Sequence, residues 1–213
     1  MKIFIDFDDV LFNTKRFKED YFKIFKKKGV SKKIFKECYF DPLDNRDIKN
    51  YDPMSHIKRV CERIKIDVDA LEKEIENFTA DTGKYVFSDV AEFLDKFEKK
   101  ELDIISFSIT NFQKAKVYNS GLTKFFSKVK IVDSLKGEII LKIIKKENLL
   151  SEKDVYFVDD RVEQIENVKK ICPQVTTILC SRREGRYRDR KNKYCDYKIA
   201  KLKEVGSIIK RKF

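Results

Sequence analysis

The segment Lys2-Ile3-Phe4-Ile5-Asp6-Phe7-Asp8-Asp9-Val10 decides the fold. Its first residues, Lys2 to Asp6, have the length and apolar content of a buried strand. The strand runs straight into carboxylates at Asp6, Asp8 and Asp9. In an open α/β sheet, ligands bind beyond the carboxyl ends of the strands. Like charges gathered there repel one another unless a cation offsets them, and a hard divalent ion such as Mg²⁺ prefers oxygen ligands. A solvated Asp-rich turn is the plainer alternative, but it gives no reason for three acids to abut a core strand.

Working outward, Val155-Tyr156-Phe157-Val158-Asp159-Asp160 repeats the pattern of an apolar strand ending in adjacent acids. Two such strand ends in one sheet can converge on one metal ion. Between them, Asp103-Ile104-Ile105-Ser106-Phe107-Ser108 places hydroxyls at a third strand end. Lys116 lies on the helix that follows, and Lys136 opens another helix ahead of the Asp159 strand. A phosphate at this place needs donors and positive charge, which Ser and Lys supply.

From Ser88 onward, helical and strand patterns alternate. Helices are predicted over Ala91–Lys99, Phe112–Asn119, Gly137–Glu147 and Glu163–Ile171. Strands are predicted over Leu102–Ser106, Val129–Val132, Val155–Val158, Val175–Leu179 and Tyr197–Ile199. The alternation indicates βαβ units and a parallel sheet covered on both faces. Residues 14–85 read differently, as helices: one with Phe17, Tyr21, Phe22 and Phe25 at helical spacing before Gly29, one capped by Ser31, then Ser55–Ile64 and Asp69–Phe78. The stretch Phe40–Pro53, with Pro42, Asn45 and Asn50, reads as a loop. The expected fold is therefore a Rossmann-like α/β core, residues 1–13 and 86–213, split by a helical insertion at 14–85.

The four segments, in this order, resemble the haloacid dehalogenase-like hydrolase superfamily. Asp6-Phe7-Asp8-Asp9-Val10 is similar to its DxDx(T/V) motif, Ser106 to its second, Lys136 to its third and Asp159-Asp160 to its fourth. Ser108 and Lys116 are the alternative second and third motif residues. The resemblance implies a phosphatase with a helical cap inserted after the first motif. It further implies that Asp6 is the nucleophile and Asp8 the general acid and base. Ser106 and Lys136 would hold the phosphoryl group, with Phe107, Ser108 and Lys116 as further substrate contacts. Mg²⁺ would sit on Asp6, the backbone of Asp8, and Asp160, supported by Asp159. Two departures stand out: Asp9 replaces the commoner Gly, and Gln164 stands where many members have another acid.

Composition bounds what else the chain can be. A formal net charge of +12 can draw phosphorylated ligands, nucleic acid or an anionic membrane, though lysine spread along helices gives the same sum by solvation alone. The sharpest basic cluster is Arg182 to Lys191, containing Tyr187. It reads either as a nucleotide or nucleic-acid contact or as a solvated loop. The five cysteines form no CxxC pair, which fits a reducing, cytoplasmic setting without zinc. The acids break the first apolar run, so neither a signal peptide nor a membrane span is expected. His56 is the only histidine and reads as a partly exposed structural residue, since no Gly-x-Ser-x-Gly elbow accompanies it. Tyr39, Phe40, Tyr51 and Arg46 flank the predicted loop as weak substrate-contact candidates. The expected substrate is a small phosphorylated metabolite. A nucleotide or nucleic-acid end is the alternative, and a non-catalytic phosphate- or nucleic-acid-binding module is a reading from another class.

Overall fold

Six parallel strands form one sheet in the order β3-β2-β1-β4-β5-β6 in the computed structural model, which describes residues 1–43, 51–108, 110–151 and 154–209. The strands are β1 (Lys2–Ile5), β2 (Leu102–Phe107), β3 (Lys128–Val132), β4 (Val155–Asp159), β5 (Thr176–Cys180) and β6 (Tyr197–Ile199). Central β1 and β4 are buried throughout, which explains their unbroken apolar sequence, whereas β3 and β6 form the more exposed edges. The chain winds from β1 to β2 and β3 on one side, then crosses to β4, β5 and β6 on the other. The reversal falls between β1 and β4, where Ile5 pairs with Val158. A crevice opens at such a switch point beyond the strands' carboxyl ends.

The chain divides into two compact units. The first comprises Met1–Lys15, Val86–Phe107 and Leu122–Phe213, and it holds the sheet. Its helices are α5 (Val90–Leu94), α7 (Gly137–Lys146), α8 (Val162–Ile171) and α9 (Lys203–Ile208). Ile140, Ile143 and Ile144 of α7 and Ile165 and Val168 of α8 pack on Phe4, Ile105, Phe157 and Leu179, which cover one face of the sheet. Burying one such aliphatic or aromatic side chain contributes roughly 1.5–3 kcal/mol.

The second unit comprises Arg16–Tyr85 and Ser108–Gly121. Most of α1 (Thr14–Lys27) lies in it, with α2 (Lys32–Glu37), α3 (Pro53–Cys61), α4 (Val68–Ala80) and α6 (Asn111–Tyr118). Four of these helices start on side-chain caps, Ser31, Asp52, Asp67 and Thr110, each accepting from a backbone N–H three residues on. Gly29, at φ +85, lies just beyond the end of α1. Aromatic rings, including Tyr21, Phe25 and Phe35, fill the centre of this unit.

Three expectations need correction. Residues 108–121, predicted as part of the α/β core, pack with the helical unit: Phe112 joins its apolar cluster, and Thr82 Oγ1 donates to the Lys116 carbonyl at 2.8 Å. The helix predicted over Ala91–Lys99 is only α5, because Glu98 adopts an extended backbone and starts a separate 3-10 turn at Lys99–Glu101. His56 is fully buried rather than partly exposed. Its ring stacks on Phe25, its Nε2–H donates to the Phe35 carbonyl at 3.0 Å, and its Nδ1 accepts from the Tyr51 hydroxyl at 2.8 Å. Tyr51 in turn shares a 2.6 Å hydrogen bond with Tyr21 and stacks on Tyr39, so these rings serve the packing of the helical unit. Arg46, Asn45 and Asn50 lie outside the described residues.

Candidate active site

Parallel pairing carries one residue beyond β1: the Asp6 N–H donates to the Val158 carbonyl at 2.9 Å. That bond fixes Asp6 at the switch point beside Asp159, the last residue of β4. Ligand oxygens of Asp6, Asp159 and Asp160 lie within 4.8 Å of one another, and all three residues are buried. The two acidic strand ends, some 150 residues apart in sequence, do converge.

Lys136 is the counter-charge within this cluster. It is 1 % exposed, and its Nζ donates to Asp6 Oδ1 at 2.5 Å and to Asp159 Oδ2 at 2.6 Å. Burial alone lowers an ammonium's proton affinity, but here Asp159 and Asp6 outweigh it and hold Lys136 protonated well beyond its ordinary range. For Asp6 the balance runs the other way. Burial pushes its carboxyl up to about 7, with Asp159 and Asp8 adding to the rise and Lys136 opposing it. Asp160 is driven up by burial first and then by Asp159, Asp6 and Asp9.

Lys136 owes its position to α8. Immediately before α7, its backbone N–H donates to Gln164 Oε1 at 3.2 Å, and the N–H of Gly137 donates to Asn167 Oδ1 at 2.8 Å. Two orphan donors at the start of α7 are thus capped by side chains of a neighbouring helix. The contact is close enough to require glycine at 137: a Cβ there would lie 2.7 Å from Asn167 Oδ1 and 2.7 Å from Ile171 Cδ1. Gln164, where the resemblance leads one to expect an acid, accepts a hydrogen bond here and adds no negative charge.

Asp8 lies two residues past Asp6 and is half-buried, with Oδ1 accepting from Thr14 Oγ1 at 2.6 Å. Its charge adds to the rise in the Asp6 carboxyl. Ser106 is 1 % exposed near the end of β2, paired with Ile131, and Phe107 closes the strand opposite Val132. Both belong to the sheet unit. Ser108, with φ +110, belongs to the helical unit, where its hydroxyl meets Thr110 Oγ1 at 3.3 Å. Lys116 is also in the helical unit, donating to Gln113 Oε1 at 2.9 Å and lying 5.5 Å from the centre of the Phe17 ring. The structure therefore brings Asp6, Asp159, Asp160 and Lys136 together, while Ser108 and Lys116 have hydrogen-bond partners within the helical unit.

An oxygen-only donor set suits a hard divalent cation. Asp160 Oδ2 is buried without a hydrogen-bond partner among the described residues, the state expected of an atom kept for an ion. Asp159 differs, because Oδ2 accepts from Lys136 and Oδ1 from the Arg161 N–H at 2.9 Å. It orients the cluster, while Asp6 and Asp160 retain oxygens for a metal.

No family model matches the chain, and no curated protein matches it in sequence. Solved structures do match in shape. A protein of Burkholderia xenovorans assigned as a haloacid dehalogenase-like hydrolase superposes with a TM-score of 0.71 at 15% identity, over 99% of this chain and 95% of that one. The chain has the haloacid dehalogenase-like fold. A Bacillus subtilis protein assigned as a HAD-hydrolase and bound to magnesium matches at 0.65 and 13% identity, covering 99% of this chain and 98% of that one. An L-2-haloacid dehalogenase of Xanthobacter autotrophicus, with chloropropionic acid covalently bound, matches at 0.59 and 14% identity over 100% and 99%. A shared fold does not fix the chemistry, which rests on the side chains of a given site.

Three features of this site were not read from the sequence. Thr14 fixes Asp8. Gln164 and Asn167 seat Lys136. Arg186 pairs with Asp9 across 177 positions. Thr14 alone was within reach, as a hydroxyl placed where a helix was predicted to begin.

The basic loop is largely turned onto its own chain. Arg182 donates through Nε to the Val10 carbonyl at 2.7 Å and pairs with Asp89 at 2.9 Å, its guanidinium lying over Phe87. Arg188 donates to the carbonyls of Arg182 and Gly185. Tyr187 has Arg161 4.1 Å and Arg186 5.0 Å from its ring centre. Asp189 caps the start of α8 at the Val162 N–H, 2.9 Å away. No helix among the described residues is long and apolar enough to cross a membrane.

Proposed function

We propose that the chain is a Mg²⁺-dependent phosphomonoester hydrolase of the haloacid dehalogenase-like superfamily that acts on a small phosphorylated metabolite through Asp6. The observation that carries this reading is the pairing of two differently held acids. Asp6 is buried and ion-paired beside Asp159 and Asp160, while Asp8, two residues on, is half-buried and held by Thr14. An acid at position 8 distinguishes phosphoryl transfer from dehalogenation, because an alkoxide leaving group needs a proton and a halide does not.

Asp6 attacks phosphorus in line, and the P–O bond to the leaving alcohol breaks as the new bond to Asp6 forms. Asp8, protonated at this stage, gives its proton to the departing oxygen. Water then attacks the aspartyl-phosphate as Asp8 takes its proton back, freeing phosphate and regenerating Asp6. Lys136 opposes the rise that burial causes in the Asp6 carboxyl and adds positive charge next to the incoming phosphoryl group. Ser106 lies near the end of the neighbouring strand as a hydroxyl donor to a phosphoryl oxygen. Mg²⁺, when held by Asp6, Asp160 and the Asp8 backbone carbonyl with Asp159 in support, supplies charge that screens the anionic substrate from the anionic nucleophile.

Hydrolysis of an aryl phosphate, with Mg²⁺ or with a chelator, tests the reading beside the Asp6→Asn variant. Turnover is expected only for the wild type with metal. Metal-free turnover, or turnover retained in Asp6→Asn, defeats it. Including a nucleoside monophosphate and a 5′-phosphorylated oligonucleotide in the same assay identifies the substrate class, and preference for the oligonucleotide selects the nucleic-acid alternative.

A further inference from the structure

Asp9 is an expensive residue to keep. Its backbone is left-handed, with φ +56, a region that suits Gly and only a few short polar side chains. Its carboxyl is 1 % exposed and adds negative charge to a loop already bearing Asp6 and Asp8, and its Oδ1 is buried without a hydrogen-bond partner among the described residues. Strain and an unsatisfied buried acid persist next to a candidate active site when they hold something in place.

What Asp9 holds is Arg186. Arg186 Nε donates to Asp9 Oδ2, and the basic loop lies close over the nucleophile loop at this point: a Cβ on Gly185 would be 3.6 Å from the Cβ of Asp9 and 3.3 Å from the Arg182 carbonyl. Arg182 and Arg188 of the same loop are committed to backbone carbonyls and Asp89. Arg186 is held differently. Its guanidinium bonds to a described residue through Nε alone, so Nη1 and Nη2 have no acceptor among the described residues, and 26% of the side chain remains exposed. A guanidinium anchored at Nε presents its two outer nitrogens as a fork suited to two oxygens of a carboxylate or phosphate.

We propose that Arg186, anchored by Asp9, is a specificity-determining residue that binds a second anionic group on the substrate. The preferred substrates are then phosphomonoesters whose alcohol portion carries a carboxylate or another phosphate a few bonds from the scissile ester. This inference rests on the phosphatase reading and names the substrate class of that same site. Arg186 takes no part in bond breaking. It selects the leaving group.

The test compares propyl phosphate, 3-phosphonooxypropionate and propane-1,3-diyl bisphosphate, which share a three-carbon chain and end in methyl, carboxylate or phosphate. With Mg²⁺, wild-type kcat/KM is expected to favour at least one charged substrate over propyl phosphate by about tenfold or more, the gain of a charge-assisted bidentate contact. Which charged substrate wins identifies the group. Arg186→Lys can keep the ion pair with Asp9 but lacks the fork, so the preference should drop several-fold. Arg186→Gln should bring the ratio close to one. A wild type that turns over all three alike overturns the proposal. So does an Arg186→Lys variant that slows all three by one common factor, since a purely structural arginine leaves the ratio unchanged. Failure of the wild type to hydrolyse any of them defeats the phosphatase reading itself and this inference with it.

Discussion

Acidification should weaken the helical unit through one residue. His56 is completely buried among Phe25, Phe35 and Tyr51. Burial lowers its pKa from the ordinary 6.5 to about 4; the bond to the Phe35 carbonyl opposes the fall, and Arg59 adds to it. A depressed histidine pKa means that the unfolded chain binds the proton first. Stability is therefore unaffected above pH 7, declines as pH falls through 6.5, and levels off below about 4. A tenfold change in proton affinity is worth about 1.36 kcal/mol. From these two pKa values, the loss on going from pH 7.5 to pH 4 is about 3 kcal/mol. Other groups titrate over the same range, among them Asp6, so the wild type must be measured against His56→Gln. That variant retains a donor for the Phe35 carbonyl and has no proton to gain. Urea unfolding followed by circular dichroism at pH 7.5, 6, 5 and 4 gives both curves. The gap between them should close by about 3 kcal/mol as pH falls. Parallel curves would show that His56 is not held neutral and would refute the reasoning.

Lys136→Met leaves Asp6 and Asp159 facing each other without their cation; urea unfolding in a chelator should show a loss of about 3–5 kcal/mol. Asp160→Asn removes a carboxylate that Asp159 and Asp6 repel, so the metal-free melting temperature should rise while the Mg²⁺-induced increase shrinks. For the wild type, Mg²⁺ at a hundred times its Kd should add about 2.7 kcal/mol, and an undiminished increase in Asp160→Asn would rule that residue out as a ligand. Gly137→Ala places a methyl group against Asn167 and Ile171; a stability loss of about 1–3 kcal/mol is expected in denaturant titrations, with a fall in kcat as Lys136 shifts. Asp8→Asn should lower kcat about 10²–10⁴-fold and flatten its pH profile, while the circular dichroism melt changes little.

The parts of this molecule legible in its sequence are those set by local pattern. The β1 and β4 strands announced themselves as apolar runs ending in acids, because a strand buried on both faces has no polar position until it reaches the crevice. Lys136 was legible by its place ahead of β4, but the bond that matters, to Asp6, spans 130 positions, and only the winding of the sheet closes it. The same limit hid the Asp9–Arg186 pair and the capping of α7 by Gln164 and Asn167, since long-range partners leave no periodic trace. Segment 108–121 was misassigned for a related reason: its place in the chain fits a βαβ unit, while Phe112 takes its packing from the helical unit. His56 was misjudged because a polar ring looks exposable until two acceptable partners, Tyr51 and the Phe35 carbonyl, are found inside.

The position of β1 also shapes how the chain must assemble. The four residues Lys2–Ile5 lie in the middle of the sheet, with Ile3 beside Leu102 on one side and Tyr156 on the other. Closing the nearer of these loops, about 100 residues long, costs about 4 kcal/mol of chain entropy before any pairing returns it. Strand β1 is thus among the last to gain both neighbours. Such topologies fold slowly and leave an apolar strand waiting, so slow refolding is a natural consequence of seating Asp6 at the end of a central strand whose two partners come from distant parts of the chain.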